Sequence, residues 1–92
     1  MIRLFVRHKV ANFATWRKGY DAFDAKRKSL GVRAAAVFRG APDAQDVTIW
    51  HDFDDLAVAR AFTKSPDLAA AMKSAGVVGE PQIWFADREL PA

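Results

Sequence analysis

The candidate strands of this chain are apolar on both faces, and that constrains its fold more than any other feature. Ile2–Lys9 alternates aliphatic with basic or aromatic residues, the mark of a strand. Leu4 and Val6 fall on one side of it and Phe5 on the other. Val47–Phe53 puts Val47 and Ile49 on one side and Trp50 on the other, and Gln82–Asp87 splits Trp84 from Ile83 and Phe85. A sheet with one wet face needs polar residues on that face. Here both faces need cover, one by helices and the other by something else.

The remaining pattern supplies the helices. Asn12 is placed to cap a helix that starts at Phe13. Phe13, Trp16, Tyr20, Phe23 and Leu30 then form one stripe, with Arg17, Lys18, Asp21, Asp24 and Lys28 opposite. Gly31 suits the position just past that helix's end. Val32–Arg39 reads as a second strand, joined to the third by the turn residues Gly40-Ala41-Pro42-Asp43. Asp54 can cap a helix running to about Thr63. Ser65-Pro66-Asp67 restarts it with a capping hydroxyl, a proline at the first helical position and an acid at the dipole's positive end. Leu68, Met72 and Ala75 face inward, and Gly76 ends the segment.

The order is therefore strand, helix, strand, strand, helix pair, strand. It predicts one ferredoxin-like α+β domain over residues 1–92, of βαββαβ order, with a four-stranded antiparallel sheet. The first and third strands are expected as parallel neighbours at its centre. With 92 residues the chain buries only ~60–65% of its unfolded surface, so self-association is a reasonable source of added stability. The simplest cover for the bare sheet face is the same face of a second copy, which makes a dimeric α/β barrel. Phe5, Trp50 and Phe85 are its candidate contacts. The alternative cover is the C-terminal tail.

Composition narrows the chemistry. Cysteine is absent, so thiolate catalysis, disulfides and sulfur-ligated metals are excluded. No apolar run spans a membrane, and the charged start is not a signal peptide, so a cytoplasmic protein is expected. A net charge of +3 and a pI near 9.6 permit an anionic ligand without demanding nucleic acid. RNA-recognition domains share the βαββαβ order. The third strand, Val47-Thr48-Ile49-Trp50-His51-Asp52-Phe53, lacks their Lys/Arg-Gly-aromatic platform, and a dimer would bury that face.

The candidate site converges from several elements. His8 and His51, the only histidines, share strand sides with the aliphatic residues expected to face the helices. If their strands were parallel neighbours, the two rings would lie one strand spacing apart, ~5 Å. Trp16, Tyr20 and Phe23 would roof them, with Phe62 and Met72 from the second helical region, giving an apolar small-molecule pocket with few polar groups. A histidine on an apolar strand face reads first as a core residue and second as a catalyst. The same holds for the aromatic stripe, although the Tyr20 hydroxyl needs a partner. Arg27 interrupts the stripe and either snorkels outward or offers a cation at the pocket mouth. Lys26-Arg27-Lys28 reads as a last helical turn complementing the dipole. Asp52, Asp54 and Asp55 beside His51 hint at a metal, but capping accounts for them. No metal or cofactor is expected.

Two stretches resemble a known family, the antibiotic biosynthesis monooxygenase-like proteins of the dimeric α/β-barrel group. They are Val6-Arg7-His8-Lys9-Val10 with Phe13 and Trp16, and Asp55-Leu56-Ala57-Val58-Ala59-Arg60-Ala61-Phe62 followed by Ser65-Pro66, Leu68, Met72 and Ala75-Gly76-Val77. The resemblance runs from about Leu4 to Phe85. It implies a cofactor-independent monooxygenase acting on phenolic or polyketide-like aromatics, in which a deprotonated substrate reduces O₂ directly. His8, His51 and Tyr20 would be the catalytic residues, with Trp16 as a further donor. Trp16, Phe23, Arg27, Phe62 and Met72 would bind substrate. The haem-degrading branch uses an asparagine, tryptophan and histidine set. Here Asn12 lies beyond the first strand, and the second helical region carries no histidine. A polyketide cyclase-like acid–base enzyme and a non-catalytic small-molecule-binding dimer are the alternatives.

Overall fold

A computed structural model describes residues 1–89. The elements are β1 (Ile2–Val10), α1 (Phe13–Ala22), α2 (Asp24–Ser29), β2 (Ala34–Arg39), β3 (Asp46–Phe53), α3 (Leu56–Thr63), α4 (Pro66–Ser74) and β4 (Val77–Asp87). The four strands form one antiparallel sheet in the order β2-β3-β1-β4, with the helices against one face. This is the ferredoxin-like arrangement expected.

Local chemistry sets the helix ends. The Asn12 side chain accepts from the Thr15 N–H at 2.9 Å, and Ser65 accepts from Leu68 with Pro66 at the first helical position. The third helix is capped one residue later than expected. Asp55 accepts from the Val58 N–H, while Asp54 turns outward to pair with Arg33. Gly31 and Gly76 take positive φ just past the helices they end.

The long first helix is broken at Phe23. The Phe23 N–H is shared between the carbonyls of Gly19 and Tyr20, and the Arg27 guanidinium also donates to the Tyr20 carbonyl. A side chain inserted into the backbone ladder is an ordinary cause of a kink. Helical periodicity through Leu30 did not reveal it.

The central strand pair differs from expectation. β1 and β3 are antiparallel neighbours. The crossover through α1 and α2 makes β2 parallel to β1. The hairpin then returns β3 between them, necessarily opposed to both. The register places Leu4 opposite His51 and His8 opposite Val47. Both histidines face the helices, but they sit four residues apart along the strands, ~13 Å. They are therefore not adjacent.

The core occupies the helix-covered face in two clusters. Leu4, Phe53, Ala59 and Phe62 centre one, and Val10, Trp16, Tyr20, Val47 and Ile49 the other. On the opposite face Phe5 lies between Trp50 and Trp84 and stacks on Trp84 at 5.3 Å. Phe85 is not on this face. It pairs with Leu4 and packs against the core, because the longer β4 runs in register with β1. Trp84 takes the place assigned to Phe85. The C-terminal tail proposed as an alternative cover ends in residues 90–92, outside the described residues.

Candidate functional site

The cavity lies between the sheet and the helices. Leu4, Val6 and Ile49 form its floor. Trp16, Tyr20 and Phe23 come from the first helical region, and Phe62, Leu68 and Met72 from the second. His8, His51 and Arg27 also line it. The expected site residues thus converge on one apolar space of ≈ 70 Å³, enough for a few waters or part of a small ring. A larger ligand requires the helices to give.

Gly19 and Ala71 are among the lining positions not anticipated from the sequence. Gly19 sits where a Cβ would come within 2.9 Å of the Ala75 Cβ, so α1 approaches α4 closely there. A lone glycine inside the helical stripe was the available signal. Ala71 lines the same seam, and nothing in its local pattern marks it.

The polar centre is a buried pair. Tyr20 Oη and His51 Nε2 lie 3.0 Å apart, and the proton between them can belong to either. Burial pushes the His51 pKa down to about 4, with Arg27 acting in the same direction, so the ring is neutral near pH 7. Burial also raises the Tyr20 phenol, while Arg27 and Arg17 partly oppose it. Arg27 does not snorkel. It is 5% exposed, its guanidinium lies 3.6 Å from the Tyr20 ring centroid, and it reaches Asp24 at 3.3 Å. The Asp24 carboxylate three residues earlier was the missed partner that makes a buried arginine tolerable. His51 Nδ1 is sealed from solvent without a hydrogen-bond partner.

His8 stands at the other end. Its ring meets the Trp16 ring edge-on at 5.7 Å. Burial lowers its pKa, while its own backbone and Asp46 pull the other way. Its Nδ1 is also buried and unpartnered. Phe62 completes the aromatic wall, meeting the His51 ring at 5.4 Å. Among the described residues, no group of three or more His, Cys, Asp or Glu side chains could hold a metal ion. No helix there is long and apolar enough to cross a membrane.

No protein-family model matches the chain, and no curated protein is similar to it in sequence. Its backbone is nevertheless similar to solved structures. One is a candidate antibiotic biosynthesis monooxygenase of Bordetella bronchiseptica, with a TM-score of 0.79, 19% identity and 97% of each chain covered. The fold is that of the antibiotic biosynthesis monooxygenase-like proteins. A Caulobacter crescentus protein of the same description gives a TM-score of 0.77 at 18% identity, covering 96% of this chain and 89% of its own. SnoaB, a cofactor-independent oxygenase of Streptomyces nogalater, gives 0.75 at 15% identity, covering 99% and 97%.

Proposed function

We propose that the chain is a cofactor-independent monooxygenase acting on a phenolic or polyketide-like aromatic. The observation that carries this reading is the buried Tyr20–His51 pair facing an apolar cavity, with Arg27 against the tyrosine ring. The kinship of fold with SnoaB supports it.

The substrate must supply every electron. For a methylene between two aryl rings the balance is R₂CH₂ + O₂ → R₂C=O + H₂O. The carbon loses four electrons, O₂ gains four, and one oxygen leaves as water. The first step removes a proton from the substrate. Tyr20 Oη accepts it as the tyrosine proton moves to His51 Nε2, which is neutral near pH 7; burial and Arg27 disfavour the protonated ring, so it returns the proton readily. The carbanion then reduces O₂. The resulting peroxide takes the proton back through the same pair and loses water. Trp16, Phe23, Phe62 and Met72 hold the flat substrate and keep the site dry.

The assembly belongs to the same proposal. Phe5, Trp50, Trp84 and Phe38 form an apolar band on the bare face, and Trp84 is 45% and Phe38 54% exposed. A second copy covering this band gives the dimeric barrel. Residence in the cytoplasm fits a substrate made inside the cell.

Oxygen uptake with an anthrone tests the reading. Wild type consumes O₂ with a chelator present, and Tyr20→Phe lowers kcat by about 10²–10³-fold while keeping the ring and its arginine. Equal uptake by wild type, Tyr20→Phe and His51→Ala would defeat the assignment. Ring closure of a polyketide without oxygen consumption would favour the cyclase-like alternative instead.

A further inference from the structure

We infer that β4 leaves a second opening into the cavity, and that His8 relays protons through it. The ladder between β1 and β4 runs in register as far as Arg7 opposite Gln82, then resumes with Lys9 opposite Val78. His8 alone therefore faces three residues, Gly79, Glu80 and Pro81. The bulge is built from residues suited to it. Gly79 has φ +73 with open space around the position of a Cβ, and Pro81 has no N–H to lose from the ladder.

The consequence is a gap in the sheet beside a histidine. A charged surface recess of ≈ 410 Å³ lies there, lined by Arg7, Lys9, Asp46 and Glu80. His8 borders both this recess and the apolar cavity, and the two spaces share no other lining residue. Its Nδ1 is sealed and unpartnered. A neutral ring between a dry space and a wet one is suited to relay. One nitrogen accepts a proton as the other releases one, so the ring stays neutral and only its tautomer changes. The charged groups around the recess are Asp46 from β3, Arg7 and Lys9 from β1, and Glu80 from β4. From α1 the uncharged Trp16 ring packs on it.

The opening stands apart from the oxygenase reading, while relay of a substrate proton rests on it, so two measurements separate them. Diethyl pyrocarbonate labelling with peptide mass spectrometry should modify His8 at least tenfold faster than His51, although the two are equally buried. Deleting Gly79 and Glu80 restores one-to-one register and should bring His8 down to the His51 rate. Equal rates in the intact chain overturn the opening, whether or not the deletion folds. Under nitrogen in D₂O, an anthrone should gain deuterium at least tenfold more slowly with His8→Asn than with wild type. Equal exchange overturns the relay. If His8 labels fast but wild type neither exchanges nor oxidises the anthrone, the oxygenase reading fails and the opening survives.

Discussion

On the helix-covered face of the sheet, Leu4, Val47 and Phe53 are sealed from water, and the two histidines among them carry no ion partner: His8 and His51 sit neutral, each with an orphaned nitrogen. On the other face Arg3, Arg7 and Lys9 each have a carboxylate partner. Arg3 holds Asp52 with two hydrogen bonds of 2.8 and 3.0 Å and lies 3.6 Å over Trp50. Arg7 pairs with Asp46, and Lys9 with Asp43. The same four strands make both surfaces, alternating residue by residue. The difference shows a division of labour. Unsatisfied polarity in a dry space costs stability and is what proton chemistry uses, whereas matched charges around aromatic rings make a surface that can be wet or covered.

The largest effect is expected on the buried side. Phe53→Ala should cost about 3–5 kcal/mol in denaturant unfolding, because a fully buried ring leaves a cavity. A cost near that of a surface change would mean that the helices are not closed over the sheet. Phe5→Glu should leave the fold intact and weaken self-association at least a hundredfold by light scattering, since it puts a charge at the centre of the aromatic band. A dimer of unchanged affinity would place the interface elsewhere.

A pH series sharpens the contrast. The folded-state pKa of His51, about 4, lies below its unfolded value, so the unfolded chain binds the extra proton first. Stability should therefore fall as pH drops from about 6.5 toward about 4, by up to about 3 kcal/mol, and His51→Gln should remove most of that loss. The same acid sensitivity in the variant would assign the effect elsewhere. Arg3→Ala should cost about 2 kcal/mol, because it strands a nearly buried carboxylate. Arg33→Ala, which breaks an exposed pair with Asp54, should leave the melting curve unchanged.

Much of the architecture was legible from the chain. Alternation identified the strands, and Asn12 and Ser65 marked helix starts by their capping chemistry. The residues proposed for the pocket do meet around one space, because strand and helix periods assign each side chain to a face. Distances across elements were less accessible. The histidines share a face as expected but are not neighbours, since strand direction depends on how the crossover and hairpin combine. Phe85 went to the wrong side because β4 begins earlier than Gln82 and its register follows β1. Arg27 looked like a solvated end of a helix until the chain turned at Phe23 and laid its guanidinium on Tyr20.

Sequence alone determined what each segment could be: which side of a strand is oily, where a helix begins, and that no thiol takes part. These are local properties, set by side chains a few residues apart. Only the tertiary structure decided which groups touch. The 3.0 Å contact of Tyr20 with His51 and the bulge that leaves His8 beside a recess join residues dozens of positions apart. Such contacts arise from register and packing between elements, and no local pattern encodes them.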